Sequence, residues 1–356
     1  MTLKNKLSTD FYDIKVPEFE KNISELNIVR RIELLNSKLM VDLVLPSFAL
    51  RSERELVKNI KEIIAKHVSS ETEIELNVFA EVKPAVKQSI KKDKIADVKN
   101  IILVLSGKGG VGKSTVAANL AQTLSKMGCQ VGLMDADVYG PSMPTIFDVS
   151  KNTQIVGIIN EETKENYMIP INLNGIKLMS IGFLVDTNSA MIWRGPMISS
   201  AIVQMFNNTA WGDIDYLIVD MPPGTGDIQL TISQKLNTSG AIIVSTPHEL
   251  ALADVIRAKA MLDKLKIPIF GLVENMSYFI CNNCNAKHEI FSHGGATALA
   301  DSLKIPIFAE IPLDSTIDFQ NKIYQDLAYD LATIIAKMAL NNSNREQEGA
   351  QLNILT

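Results

Sequence analysis

Apolar and polar residues follow different patterns in the first quarter of the chain and in the remainder. In the first part, the runs Ile32–Leu45 and Glu71–Val82 are dense in apolar and β-branched residues and partly alternate, which predicts two strands. Between them, Ser52–Ser69 carries apolar residues at helical spacing. Ser52, followed three residues later by Glu55, predicts a capping box at the start of that helix.

From residue 99 onwards, short and continuous apolar runs alternate with segments long enough for helices. Such runs are typical of strands that are buried on both faces. They are Asn100–Leu105, Gln130–Met134, Tyr216–Val219, Ala241–Val244 and Ile269–Val273. Strands that alternate with helices predict an α/β fold with a mostly parallel sheet flanked by helices.

These patterns divide the chain into four segments. We predict a small α+β domain over residues 1–85, a basic linker over 86–98, an α/β nucleotide domain over 99–340 and a polar tail over 341–356. A length of 356 residues fits one large domain and one small one.

Charge and composition narrow the possible partners. The net charge is −5, with +2 on the first 100 residues and −7 on the rest, so neither part is the basic body that general nucleic-acid binding needs. No apolar run is long enough for a membrane span, and the N-terminus lacks the apolar core of a secretory signal. Three cysteines are too few for a disulfide framework, so we expect a reducing, cytoplasmic setting without nucleic-acid or membrane partners.

The strongest motif is a phosphate-binding loop. Residues 107–114 read G-K-G-G-V-G-K-S, which matches G-x-x-x-x-G-K-[ST] and falls between a predicted strand and a predicted helix. Its backbone N–H groups would surround phosphate oxygens, Lys113 would reach the β- and γ-phosphates, and Ser114 would bind Mg²⁺. The alternative is a glycine-rich turn that binds nothing. The predicted ATP-binding residues are Gly107, Lys108, Gly109, Gly110, Val111, Gly112, Lys113, Ser114 and Thr115.

Carboxylates follow two of the predicted strands. Asp135 and Asp137 end one strand, and Asp220 ends another before a Pro-Pro-Gly turn. We predict that Asp137 orients the attacking water or holds the magnesium shell, that Asp135 is structural, and that Asp220 makes a water-mediated Mg²⁺ contact. The alternative for Asp220 is a simple turn cap. Gly224 and Gly226 would allow this loop to move as a switch.

Cys281 and Cys284 form a C-x-x-C pair whose spacing alone does not separate redox, zinc and iron–sulfur uses. His288 and His293 are near enough in sequence to complete a His₂Cys₂ zinc site. A symmetric dimer would instead supply four thiolates, which suit a bridging [4Fe–4S] cluster. Two inert thiols are a third possibility. Cys129, at the end of the first predicted helix, is expected to serve in packing.

The loop form K-G-G-V-G-K, with a second lysine at Lys108, resembles the deviant Walker A loop of the MinD, ParA and nitrogenase-iron-protein class of P-loop ATPases. That resemblance implies a homodimer with ATP at the interface, in which Lys108 reaches the nucleotide of the partner. It also implies that Lys108, Lys113, Asp137 and Asp220 are the residues that support ATP hydrolysis.

A closer resemblance covers residues 99–313. The segments GKGGVGKST, DADVYGPSMP, DMPPGTGD, ENMSYF, CNNC and FSHGGA, in this order, resemble the Mrp/ApbC family of iron–sulfur cluster carrier ATPases. The family resemblance implies ATP hydrolysis and a labile [4Fe–4S] cluster, which is bridged by Cys281 and Cys284 of two chains and passed from an assembly scaffold to apo iron–sulfur proteins. It also implies that Asn275 and Pro312 frame the adenine. Residues 193–196 (WRGP) resemble an interface or switch-adjacent segment, and the N-terminal part resembles the MIP18/DUF59 domain.

Two other functions remain as alternatives. A MinD/ParA-type positioning switch would use the cysteines for structural zinc or not at all. Its membrane-bound form should end in a basic amphipathic helix, which residues 344–356 do not offer, and its DNA-bound form should carry a basic patch, against which the charge of −7 argues. A redox partner like the nitrogenase iron protein should use two widely spaced cysteines instead of a C-x-x-C pair.

Overall fold

A computed structural model describes residues 3–69, 71–86, 98–150, 153–159, 164, 166–184, 195–281, 283–290 and 295–354, with the backbone alone for 249–250 and 344–354. The chain forms two compact units. One contains residues 1–83 together with 331–356, and the other contains residues 84–330. None of the helices in the described residues is both long enough and apolar enough to cross a membrane.

The first unit is a three-stranded sheet covered by two helices. In chain order its main elements are α1 (Leu3–Tyr12), β1 (Lys15–Val16), β2 (Lys21–Asn22), β3 (Val29–Leu35), β4 (Lys38–Leu45), α2 (Glu53–His67) and β5 (Glu73–Ala80). The central strand β4 pairs antiparallel with β3 and parallel with β5. Its buried side chains alternate along the strand and join a core with residues of both helices.

Two sequence predictions in this unit are wrong. The run Ile32–Leu45 is a hairpin, because Asn36 and Ser37 both adopt positive φ angles (46° and 65°) and reverse the chain. The capping box does not form, because Ser52 has a helical backbone and its side chain makes no cap hydrogen bond. Its backbone N–H instead donates to the Glu18 carboxylate at 2.7 Å.

The second unit contains an eight-stranded sheet. Its elements are β6 (Val98–Leu105), α3 (Lys113–Lys126), β7 (Val131–Asp135), α4 (Met143–Ile146), β8 (Gly157–Ile159), β9 (Asn166–Met168), β10 (Ile171–Leu173), β11 (Ile176–Ser180), α5 (Gly195–Asn207), β12 (Ile214–Asp220), α6 (Asp227–Lys235), β13 (Gly240–Ser245), α7 (Glu249–Leu265), β14 (Ile269–Asn275), β15 (Phe279–Ile280), β16 (Lys287–His288), α8 (Gly295–Leu303), β17 (Ile307–Ile311) and the first part of α9 (Lys322–Ile354).

The strand order in the large sheet is β10-β11-β7-β12-β6-β13-β14-β17. All neighbouring strands are parallel except the antiparallel edge strand β10. The predicted mostly parallel α/β sheet is therefore confirmed. The chain adds strands on one side of β6 as far as β12 and on the other side from β13 onwards. The loop after β6 therefore lies at the point where the direction of strand addition changes, which is where α/β sheets bind ligands.

The last helix, α9, contributes to both units. Tyr324 and Leu327 are buried within residues 84–330, whereas Ala336 joins the core of the first unit. This division differs from the expected domain end at residue 340, and the segment expected to be a polar tail is helical as far as Ile354.

The segment expected to be a linker lies largely outside the described residues, from 87 to 97. Its flanks are described on both sides. The Ala85 backbone N–H donates to the Asn100 side-chain oxygen at 2.9 Å, and β6 begins at Val98. The chain on both sides of residues 87–97 is therefore fixed to the same strand.

Candidate functional site

The phosphate-type loop connects β6 to α3 and has two kinds of glycine. A Cβ added at Gly109 or Gly110 would meet no atom within 4 Å, so this side of the loop is open. A Cβ at Gly107 would collide with Asp254 of α7, and one at Gly112 would collide with the Asn275 amide. Gly110 and Gly112 both have φ of 82°, a conformation that glycine adopts without strain.

Lys113, the first residue of α3, lies among the predicted carboxylates. Its ammonium group is buried and forms an ion pair with Asp220, and it lies 3.7 Å from Asp137. The Ser114 hydroxyl is 3.4 Å from the same ammonium. The second oxygen of Asp220, Oδ2, is buried and has no hydrogen-bond partner among the described residues. An unpaired carboxylate oxygen in this position is suited to bind a cation or its water.

Burial dominates the ionisation of these carboxyls. It raises the pKa of Asp220 and of Asp137, and the nearby charge of Lys113 opposes the shift in both cases. Burial, followed by the charge of Asp220, raises the pKa of Asp135 to about 7. Carboxyls with raised pKa values next to a phosphate-type loop are typical of functional sites.

Asp135 is fully buried and holds the loop that carries Asp137. One of its oxygens accepts the Asp137 backbone N–H at 3.1 Å, and the other accepts the Met143 N–H at 3.1 Å and the Ser180 hydroxyl at 2.9 Å. Sequence analysis missed Ser180, the last residue of β11, which lies opposite Asp135 because β11 pairs in parallel with β7.

The loop after β12 is attached to the phosphate-type loop. The Gly224 N–H donates to the Ser106 carbonyl at 2.8 Å. The buried Gln229 amide donates to the Pro222 carbonyl at 3.2 Å and to the Pro223 carbonyl. Gln229 was not predicted. Its signal in the sequence is an amide side chain in the first turn of the helix that follows the glycine-rich turn. Lys108, by contrast, is exposed.

Asn275, at the end of β14, reaches the phosphate-type loop directly. Its side-chain amide donates to the Val111 carbonyl at 2.9 Å. Pro312 follows β17 on the neighbouring strand, between two residues that hydrogen-bond to the segment after Asn275. The structure therefore brings Asn275 and Pro312 to the same edge of the sheet as residues 107–115.

The cysteine pair lies at the end of a short hairpin formed by β15 and β16. The Cys281 N–H donates to the Ala286 carbonyl at 2.9 Å, which closes the turn. Cys281 is half-buried and Cys284 is exposed. A hydrogen bond from the Asn283 backbone N–H, followed by one from Cys284, lowers the pKa of the Cys281 thiol, so this sulfur ionises more readily.

The other predicted metal-site residues are only partly described. His288 is exposed and pairs across the hairpin with Phe279, whereas His293 lies outside the described residues, as do Trp193 and Arg194. Within the described part of the chain, no three His, Cys, Asp or Glu side chains form a group that could hold a metal. Cys129 is buried.

The glycine-rich loop between a buried strand and a helix, with its lysine paired to carboxylates at neighbouring strand ends, defines a P-loop NTPase. The family model described as "ParA: NUBPL iron-transfer P-loop NTPase" matches residues 97–341. The chain belongs to this family.

Relatives in several organisms extend over most of the chain. "Iron-sulfur cluster carrier protein" of Haemophilus influenzae is 38% identical over 87% of this chain and 82% of its own length. The Pseudomonas fragi protein of the same name is 47% identical over 62% of this chain and 75% of its own. "Iron-sulfur protein required for NADH dehydrogenase, mitochondrial" of Arabidopsis thaliana is 45% identical over 70% of this chain and 83% of its own.

A solved structure supports the same fold. The nucleotide-binding protein of Archaeoglobus fulgidus, in complex with ADP, is 39% identical, has a TM-score of 0.54, and matches 67% of this chain and 90% of its own. The sequence-based resemblance to iron–sulfur carrier ATPases is thus confirmed for the nucleotide unit. The resemblance of the N-terminal part to MIP18/DUF59 domains stays a prediction.

Proposed function

We propose that this protein is an iron–sulfur cluster carrier, which binds and hydrolyses ATP and passes a [4Fe–4S] cluster that bridges two chains to apoproteins. The observation that carries the proposal is the pair Cys281 and Cys284, accessible at the end of a hairpin that leads directly out of the nucleotide site. The names of the relatives support the same assignment.

The residues around the loop fit ATP with Mg²⁺. The open side of Gly109 and Gly110 leaves room for phosphate oxygens, and the unpaired Asp220 Oδ2 is available to a hydrated cation. Lys113 would exchange its carboxylate partners for the β- and γ-phosphates, and the Ser114 hydroxyl would join the metal shell. When bound, Mg²⁺ would neutralise charge on the phosphates.

Catalysis would depend on residues at the rim of this site. Asp137, whose pKa is raised by burial, would orient the attacking water or its magnesium shell. The exposed Lys108 would reach the phosphates of a partner chain in a homodimer, where it would stabilise negative charge during hydrolysis. Asn275 and Pro312 would frame the adenine, and Thr115 would complete the loop.

The cysteine pair supplies two thiolates from each chain. A [4Fe–4S] cluster needs four ligands, and a two-fold symmetric homodimer offers two such pairs facing each other. The lowered pKa of Cys281 favours the thiolate form that binds iron. Because Cys284 is exposed, thiols of an incoming apoprotein could replace it as a ligand. We propose that residues 1–85 form a MIP18/DUF59-like domain in this assembly.

Metal analysis of protein reconstituted without oxygen tests the assignment. We expect iron and sulfide near four each per dimer, with brown colour, for a [4Fe–4S] cluster. Cys281→Ser and Cys284→Ser should each lose the bound iron and sulfide, whereas Cys129→Ala, which changes a buried cysteine, should retain the iron and the sulfide. Zinc at one per chain without iron, or iron that survives both serine substitutions, would contradict the carrier function.

A further inference from the structure

A four-residue segment joins the phosphate-type loop to the cysteine hairpin. It runs from Asn275 to Tyr278, and Cys281 follows three residues later. At its start, the Asn275 amide donates to the Val111 carbonyl at 2.9 Å and lies so close to Gly112 that a Cβ there would collide with it. The contact with the loop is therefore tight, and the loop cannot shift at Val111 without affecting Asn275.

The middle of the segment is held firmly. The Ser277 N–H donates to the Ile311 carbonyl at 2.9 Å, and the Leu313 N–H donates to the Tyr278 carbonyl at 2.7 Å. The Ser277 hydroxyl also donates to the Glu274 carboxylate at 2.6 Å. Because Ser277 and Glu274 are buried, these bonds are shielded from water and keep the segment from absorbing a displacement locally.

The far end of the segment continues into the hairpin. Phe279 pairs with His288 across the two strands, and the Lys287 ammonium lies 4.2 Å above the Tyr278 ring. A displacement that reaches Tyr278 is thus passed to both strands of the hairpin, one of which leads to Cys281 without an intervening loop.

We propose that residues 275–278 couple nucleotide binding to the cysteine pair, with Asn275 as the positioning residue that contacts the phosphate-type loop. This inference rests on the proposed function and gives its regulation. The loop that would bind the phosphates changes its contacts when ATP enters, and Asn275 transmits that change to Cys281 and Cys284. By thermodynamic reciprocity, occupancy of the thiols alters ATP affinity to the same extent.

Thiol labelling of the cluster-free, full-length protein tests the coupling without involving iron. The rates of maleimide addition at Cys281 and Cys284 are measured by mass spectrometry, with and without saturating ATP and Mg²⁺, and the buried Cys129 serves as an internal reference. In the unchanged protein we expect ATP to alter the rate about fivefold or more, as for typical couplings between sites. In Asn275→Ala, ATP should change the labelling rate of each cysteine by less than about twofold.

Two further variants keep the test decisive. Ser277→Ala removes the bond to Glu274 but leaves every residue proposed to touch nucleotide, so it should keep its ATP affinity and lose most of the ATP effect. Asn172→Ala, at an exposed position of the edge strand β10, should keep the full effect. If Asn275→Ala fails to bind ATP, Ser277→Ala decides the question.

The coupling is overturned if ATP leaves the labelling rates of the unchanged protein constant, or if Ser277→Ala and an ATP-binding Asn275→Ala both retain the full effect. Either result leaves the carrier function intact, because that function is judged from iron and sulfide content. Loss of iron binding with a preserved ATP effect on labelling would reject the carrier function and leave the coupling in place.

Discussion

Asp135 and Asp220 lie directly opposite each other at the ends of the parallel strands β7 and β12, and both side chains are fully buried. Lys113 forms an ion pair with Asp220 and lies near Asp137. Burial and the charge of Asp220 raise the pKa of Asp135 to about 7, so this carboxyl keeps its proton in mildly acidic solution. The strand ends thus hold a proton whose release depends on pH.

Protein stability should fall as this proton is released. The pKa of Asp135 rises from 3.8 to about 7 on folding, so the folded state binds more protons between these values. The free energy of unfolding therefore decreases as pH rises through this window and levels off above it. The side chain in Asp135→Asn is neutral throughout. Between about pH 5 and pH 8, the unfolding free energy of this variant, measured in urea, should therefore fall by on the order of a few kcal/mol less than that of the unchanged protein.

Asp213→Asn provides the matched control, because Asp213 is a surface aspartate with 71% of its side chain exposed. It should keep the pH dependence of the unchanged protein. The asparagine at 135 also loses a hydrogen bond with one of the donors to the carboxylate, but that cost does not vary with pH and shifts the whole curve. An unchanged pH slope in Asp135→Asn would show that Asp135 is ionised across this range.

Lys113→Ala should affect both stability and nucleotide binding. Without this ammonium, the buried Asp220 and the neighbouring Asp137 lose their cation, which we expect to reduce the free energy of unfolding by about 3 kcal/mol at neutral pH. Part of the loss should be recovered in acid, where the carboxyls are neutral. ATP binding measured by calorimetry should disappear. Lys126→Ala, an exposed lysine in the last turn of the same helix, should change neither quantity.

The sequence predicts the carboxyl-terminal edge of the large sheet well, because local motifs and apolar runs mark it. Asp135 and Asp220 lie opposite each other at the ends of neighbouring strands, as the apolar runs before them imply, and Lys113 at the start of α3 pairs with Asp220. The hairpin at Asn36 and Ser37 was missed, because nothing in its apolar flanks distinguishes a two-residue turn from a continuous strand. Such turns depend on paired positive φ angles instead of hydrophobic period.

Long-range polar contacts were also beyond the sequence patterns. Asn100 is buried within an apolar run and fixes Ala85, which is 15 residues away, while Gln229 holds the carbonyls of Pro222 and Pro223. A buried amide looks like any other polar residue until the backbone groups that it must satisfy are placed around it. For the same reason, Asn275 could be assigned to adenine by resemblance, but its bond to Val111 could not be foreseen.

Two glycines of the phosphate-type loop should respond differently to the same substitution. Gly107→Ala would place a Cβ 2.8 Å from the Asp254 backbone carbonyl carbon, so helix α7 or the loop must move. We expect a loss of about 1–3 kcal/mol in unfolding free energy. Gly109→Ala meets no atom within 4 Å and should keep its stability, but its methyl group would enter the proposed phosphate space and weaken ATP binding.

Chemical denaturation and ATP titration of this glycine pair separate packing from binding. Comparable loss of stability in both variants would mean that the loop has no open side. Full ATP affinity in Gly109→Ala would show that the phosphates lie elsewhere, and the proposed nucleotide position would then be wrong.

Lys108→Ala tests whether this exposed lysine acts on the nucleotide of a partner chain. Because the side chain is exposed, its removal should change unfolding free energy by less than about 0.5 kcal/mol. ATP binding should be largely retained and hydrolysis lost.

Mixing Lys108→Ala with Lys113→Ala shows whether Lys108 acts on the nucleotide of the partner or of its own chain, since neither variant hydrolyses ATP alone. In a mixed dimer, the Lys108→Ala chain retains its own Lys113 and receives an intact Lys108 from its partner. Equal mixing should then restore about one quarter of the unchanged activity per chain, because half of the dimers are mixed and each has one complete site. If Lys108 serves its own chain, no mixture contains a complete site and activity stays absent.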